Sequence, residues 1–198
     1  MFDHIDKFES TIAEYFGSLY AVAVDSCTHG IELALRLQNI TSTQCPKHTY
    51  LSIPMTLTKL NINWGWSSAE WEDYYFLKDT NIADAAVLWK ENSYIPGTLM
   101  VLSFQFKKHL SLGRGGIILL DNFNDYQKLV RMSYDGRSRC GVWAEQDITS
   151  IGYHYYMTPE TAITGINKFN QVKHAKPRQW SSKDYPDLST MTVFSNVK

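Results

Sequence analysis

Short apolar runs alternate with amphipathic helical stretches along this chain, which predicts an α/β sandwich, a largely parallel sheet flanked by helices. Three observations carry the reading. Ile5, Phe8, Ile12, Tyr15 and Phe16 recur at helical spacing, so one face of the first segment is apolar. Tyr20-Ala-Val-Ala-Val24 then follows as an uninterrupted apolar run of strand length. The order returns later, where Gly115-Gly-Ile-Ile-Leu-Leu120 precedes a helical pattern over Asn124–Met132.

Taken in order, the first helix ends at Gly17, the residue type that most readily closes a helix in a left-handed conformation. After the Tyr20–Val24 strand, Asp25-Ser-Cys-Thr-His-Gly30 reads as a turn and Ile31–Leu37 as a helix. Thr49–Ile53 reads as a strand, and Pro54 suits the first turn of a short helix running to Leu60. Asn61–Glu72 holds Trp64, Trp66 and Trp71 with little periodicity, which predicts an ordered loop or hairpin. Tyr74–Leu77 and Thr80–Ala83 read as strands, the second delivering Asp84 at its C-terminal end. Val101–Phe104 is a further strand, joined to Gly115–Leu120 through a glycine-rich turn. Thr158-Pro-Glu opens the last helix, with Thr158 as N-cap and proline at the first helical position, running to about Phe169. From Lys173 the chain is polar and proline-bearing, and reads as irregular.

Composition narrows the function only by exclusion. The chain of 198 residues fits one domain with a sizeable core. Its formal charge of −1, with no lysine or arginine block, argues against a nucleic-acid binder. Cys27, Cys45 and Cys140 are odd in number, widely spaced and outside any CxxC pattern, which favours neither a disulfide framework nor a metal site. Met1-Phe-Asp-His-Ile-Asp has no basic stretch leading into an apolar one, and no apolar run is long enough to span a membrane. The expectation is a cytoplasmic protein with no membrane partner.

Three places in the sequence carry chemistry. The turn Ser26-Cys-Thr-His-Gly30 opens a helix, so its backbone N–H groups and the Thr28 hydroxyl suit either a phosphate at the positive end of the helix or an ordinary N-cap. Asp84 sits in Ile-Ala-Asp-Ala-Ala, where a carboxylate needs a cation or a donor, or else caps the next turn. Lys107 and Lys108 lie between an apolar run and a glycine-rich turn, a setting for a desolvated, nucleophilic amine and equally for a solvated loop. A phosphate cradle, a buried carboxylate and a lysine are together what pyridoxal phosphate requires.

At this point the chain resembles the DegT/DnrJ/EryC1/StrS sugar aminotransferases, of the aspartate-aminotransferase-like fold (fold type I). The stretch from Phe8 to Leu35 follows that family's opening helix, strand and phosphate turn, and Asp84-Ala-Ala matches its Asp-Ala-Ala. Ser103-Phe-Gln-Phe-Lys-Lys108, followed by Gly113-Arg-Gly-Gly116, is similar to its Ser-Phe-His-x-x-Lys…Gly-x-Gly-Gly segment. Ile151-Gly-Tyr-His-Tyr-Tyr-Met157 is similar to its Gly-Tyr-Asn-x-Arg-Met segment. The matches run in the family's order over about Phe8–Phe169.

The resemblance implies a set of roles. Lys108, and not Lys107, is the Schiff-base lysine, and Asp84 is the partner of the pyridine nitrogen. Thr28, Ser103 and the backbone of Cys27 contact the cofactor phosphate, Tyr50 stacks on the ring, and His154 reaches the phosphate of a partner subunit in a homodimer with shared sites. Residues 1–170 form a reduced, pyridoxal-phosphate-binding large domain and 171–198 an irregular tail. The implied reaction converts a keto-sugar nucleotide to an amino sugar with a donor such as glutamate. A sugar dehydratase and a non-catalytic binding protein are the alternatives; Lys108 favours transamination, because the dehydrating relatives carry histidine there. Several positions depart from the pattern. Val87 stands where the family places a Gln or His against the cofactor's phenolic oxygen, Gln105 replaces a His, and Tyr156 an Arg. The family's small domain has no counterpart in this sequence, and Thr28–Asp84 is shortened, with the tryptophan-rich loop in place of a strand–helix unit.

Overall fold

The computed structural model describes residues 2–197. Helix α1 spans Asp3–Phe16 and ends on Gly17, whose φ of 81° is the left-handed conformation that glycine adopts without strain. Strand β1 (Tyr20–Val24) and helix α2 (Cys27–Leu37) follow, with the Ser26 side chain accepting the His29 N–H as the N-cap. Next come β2 (Ser42–Pro46), α3 (Ser52–Lys59), β3 (Asn63–Ser67), β4 (Tyr75–Phe76), β5 (Ile82–Asp84), β6 (Leu99–Ser103) and β7 (Gly116–Leu120). Helices α4 (Phe123–Ser133) and α5 (Pro159–Val172) complete the regular structure.

The α/β class holds, but the sheet is mixed, not largely parallel. Its order is β1-β7-β6-β5-β4, and only β5 and β6 run parallel; β7 is antiparallel to both neighbours, and β4 turns back on β5. The reason lies in two short connections. The turn between Phe76 and Ile82 and the loop between Ser103 and Gly116 contain no crossover helix, so each returns the chain antiparallel. Two more local expectations change. Thr49–Ile53 is not a strand: Ile53 and Leu57 are both buried at a spacing of four, which is a helical face. Asn63–Ser67, within the expected loop, is a strand paired in parallel with β2. Lys78 N–H donates to Gln44 O (3.0 Å), and Thr43 Oγ1 donates to Lys78 O (2.8 Å), so this small sheet lies beside β4.

Alternation along the strands builds two cores. Ala21, Ala23, Met100, Leu102, Ile117 and Leu119 face α1 and α5, whereas Val22, Val24, Leu99, Val101, Ile118 and Leu120 face α2, α3 and α4. Each of the buried Val, Leu, Ile and Met side chains among these contributes about 1.5–3 kcal/mol by leaving water, so both faces hold the sheet fixed. Gly30 lets α2 approach the sheet closely: a Cβ there would meet Val101 Cγ1 at 2.6 Å. After α5 the chain forms three 3₁₀ turns at Ser182–Asp184, Leu188–Thr190 and Thr192–Phe194, and Leu188 and Phe194 are buried. No described helix is long and apolar enough to cross a membrane.

Candidate active site

The sheet delivers its functional side chains to one edge. Strands β1, β5 and β6 end there and antiparallel β7 begins there, so Val24 pairs with Gly116, Gly116 with Ser103, and Asp84 with Val101. Carboxyl ends of strands are where α/β sheets leave a crevice. A cavity of about 180 Å³ occupies it, lined by Cys27, Thr28, Tyr50, Asp84, Ser103 and Lys108 among others. Six of the seven residues singled out in the sequence therefore meet in one place. His154 does not: its ring is largely exposed, and Nδ1 lies 3.0 Å from Asp135 Oδ2.

The floor is Asp84, which is buried. Tyr75 donates its hydroxyl to Oδ2 at 2.7 Å and Ala86 its N–H to Oδ1 at 3.0 Å. Burial pushes the carboxyl above its ordinary range, against those two hydrogen bonds and the charge of Lys108. Tyr75 was not singled out from sequence, although the hairpin registers it directly opposite Asp84. A buried carboxylate next to a short hairpin is a signal to look across the turn for its donor.

The amine opposite comes from the β6–β7 loop, closed by Phe104 N–H to Gly115 O and Lys108 N–H to Gln105 O. That tight turn gives the two lysines different surroundings. Lys107 is exposed, with Nζ over its own Phe106 ring, whereas Lys108 is half-buried and lines the cavity. Burial pushes the Lys108 amine down, opposed by Cys27 and Asp84, with Lys107 adding to the lowering. A lowered amine is closer to the neutral, nucleophilic form.

One wall is the start of α2. The N–H groups of Cys27 and Thr28 stand at its first two positions and meet no acceptor among the described residues. Thr28 Oγ1 shares a 2.7 Å hydrogen bond with Ser52 Oγ at the start of α3, placing two hydroxyls beside those amides. Burial pushes the Cys27 thiol well up, so this residue offers its backbone and not a thiolate. Gly116 is required here: a Cβ would lie 2.4 Å from Cys27 N. Helix-start amides, hydroxyls and a backbone left bare suit a phosphate.

Tyr50 is 59% exposed at the mouth, just before α3. Val87 and Gln105 also line the cavity, and Val87 has no donor or acceptor to offer. Trp71 and Tyr185 line it as well, and no local pattern in the sequence marked either one. The donor set fits pyridoxal phosphate: bare helix amides with hydroxyls for the phosphate, a buried carboxylate for the pyridine nitrogen, and an amine for the aldehyde.

Comparison with known proteins agrees with this geometry. The chain is 23% identical to an uncharacterized protein, MJ1066, of Methanocaldococcus jannaschii over 97% of its own length and 65% of the relative's. Its fold superposes on the sugar aminotransferase CalS13 from Micromonospora echinospora with a TM-score of 0.73 at 14% identity, covering 86% of this chain and 61% of that one. The PLP-form of Spr1654 from Streptococcus pneumoniae, a sugar aminotransferase candidate, gives a TM-score of 0.70 at 16% identity over 85% and 58%. The chain thus spans about 60% of the length of these proteins. The sequence profile of the DegT/DnrJ/EryC1/StrS aminotransferase family matches residues 1–62 and 77–185, and the chain belongs to that pyridoxal-phosphate-dependent family.

Proposed function

We propose that this protein is a pyridoxal-phosphate-dependent aminotransferase that converts a keto-sugar nucleotide to an amino sugar, taking its amino group from an amino acid such as glutamate. The observation that carries the reading is the convergence of Lys108, Asp84 and the α2 N-terminus on one cavity. Likeness to the sugar aminotransferase CalS13 supports the substrate class.

When bound, the cofactor supplies an aldehyde for the Schiff base and a ring that accepts electrons. Cys27 and Thr28 N–H, with the Thr28 and Ser103 hydroxyls, would hold its phosphate. Asp84 holds a proton on the pyridine nitrogen, and Tyr75 and Ala86 keep that carboxylate aimed. Tyr50, free at the mouth, stacks on the ring face. Lys108 would be the covalent anchor of the aldehyde, and its half-buried Nζ is the amine placed to act as a base toward the donor's α-carbon.

In this reading the protein is a homodimer with shared sites. The supporting observation is His154, which is exposed on its own subunit and lies outside its own cavity, as a group serving a partner's phosphate would be. The test of function is a half-reaction. The protein is loaded with pyridoxal phosphate and given L-glutamate without acceptor; loss of the visible band with release of one equivalent of 2-oxoglutarate per site is expected. A loaded protein whose spectrum neither glutamate nor any other amino-acid donor changes is a binding protein and not an aminotransferase.

A further inference from the structure

The family match omits residues 63–76 and 186–198; Phe194 packs on Trp64 and Trp66 across these two stretches, and the matched residues just before the second one dock on the first. Asp73 N–H donates to Trp180 O and Ser182 N–H to Trp71 O, both at 2.9 Å, while Glu72 bridges to Ser181. Farther along, Phe194 receives the edges of Trp64 and Trp66 at 5.9 and 5.4 Å, and Leu188 N–H donates to Lys47 O. His48 Nδ1 lies 2.9 Å from Tyr185 O. The tail from Trp180 is thus held in place by backbone hydrogen bonds and aromatic packing.

This seam leads into the site. Aromatic rings follow one another from Trp180 to Tyr185 (6.3 Å), Tyr185 to Trp71 (5.4 Å) and Trp71 to Tyr75 (5.3 Å), and Tyr75 donates to Asp84. Lys108 Nζ lies 5.6 Å from the centre of the Trp180 ring, so the tail also covers the amine. Trp71, Tyr75 and Tyr185 all line the cavity. The Tyr185 ring is half-buried, yet its hydroxyl has no hydrogen-bond partner among the described residues. Burial, together with the carboxylates of Asp84 and Asp184, pushes that phenol's ionisation up, so it stays a protonated donor at neutral pH. A phenol that lines the cavity and has no protein acceptor is free to donate to a ligand bound there.

We infer that Tyr185 is a cofactor-binding residue, its hydroxyl donating to an oxygen of bound pyridoxal phosphate. The docking of residues 180–194 on residues 63–76 holds its ring over the cavity. The inference rests on the cofactor reading above. In this short chain the tail therefore forms one wall of the site.

The test is a titration of the apo-protein with pyridoxal phosphate, followed by cofactor absorbance and tryptophan fluorescence, in the parent, Tyr185→Phe, Tyr185→Leu and Phe194→Ala proteins. Tyr185→Phe is expected to weaken binding about five-fold, the equivalent of one neutral hydrogen bond at about 1 kcal/mol, with unfolding of the apo-protein unchanged. Phe194→Ala, which touches the tail but not the cavity, is expected to weaken binding as Tyr185→Leu does, and the two losses are expected not to add in the double variant. A parent that binds cofactor, with Tyr185→Phe matching its affinity and spectrum, overturns the Tyr185 assignment alone. A parent that takes up no pyridoxal phosphate overturns both the assignment and the reading beneath it.

Discussion

Replacing Asp84 by Asn separates what the carboxylate does for the cofactor from what it costs the fold. Asparagine keeps the shape, an oxygen for Ala86 N–H and a polar contact for the Tyr75 hydroxyl, so the hydrogen bonds that hold the side chain survive. What it removes is the charge. Burial raises the Asp84 carboxyl above its value in the unfolded chain, so over a window starting near the ordinary carboxylate range the native apo-protein retains a proton that the unfolded chain has released. The native state then binds more protons, and apo-protein stability falls as pH rises through that window. Asp84→Asn is therefore expected to flatten this decline and to leave the apo-protein at least as stable as the parent near neutral pH. On the cofactor side the sign reverses. A hydrogen bond between charged groups is worth about 1.5–3 kcal/mol, so losing the carboxylate at the pyridine nitrogen weakens pyridoxal phosphate by about 10- to 150-fold. Urea unfolding of both apo-proteins across pH measures the first effect, and cofactor titration the second. An Asn variant that binds pyridoxal phosphate as the parent does would refute the assignment of Asp84 to the ring nitrogen.

Three further outcomes are expected. Gly116→Ala places a Cβ 2.4 Å from Cys27 N, so the start of α2 must move and cofactor affinity should fall while α/β content by circular dichroism is kept; unchanged affinity would argue against the phosphate cradle. Glu9→Ala removes the buried carboxylate that accepts Ala23 N–H and both Arg139 terminal nitrogens at 2.6–2.7 Å, leaving the half-buried Arg139 with Asp6 alone; a loss of about 3–5 kcal/mol by urea unfolding is expected, and under about 1 kcal/mol would contradict it. Mixing inactive Lys108→Ala with inactive His154→Ala chains should restore activity, because one site of a mixed dimer carries neither lesion; a monomer by sedimentation that still binds cofactor tightly would end the shared-site idea.

Much of the fold is legible in the sequence where one physical signal dominates. Tyr20–Val24 is wholly apolar and is a strand with those bounds, and Thr158-Pro159 caps and starts α5 as read. The signal fails where burial is lopsided. In Ser42–Pro46 only Thr43, Cys45 and Pro46 are buried, and polar residues at the first and third positions hide the strand. Thr49–Ile53 is rich in strand-favouring residues, yet burial of Ile53 and Leu57 against the α2 face makes the segment lead into a helix. The sheet's mixed direction rests on loop geometry between Ser103 and Gly116, which periodicity does not report. At the site, motif spacing separates Lys108 from Lys107, and the structure gives those neighbours different burial. Tyr75, Trp71 and Tyr185 escaped because each enters the cavity through tertiary contacts: Tyr185 lies 101 residues after Asp84 and reaches it only by the docking of the tail.

The central claim, that Lys108 is the covalent anchor of pyridoxal phosphate, is tested most directly by fixing the cofactor in place. The purified protein is incubated with pyridoxal phosphate, reduced with borohydride, digested and mapped by mass spectrometry. A pyridoxyl group on Lys108, absent from the neighbouring Lys107 and lost together with the visible band in Lys108→Ala, is the expected result. Label on Lys107, or a band that survives Lys108→Ala, would contradict the account.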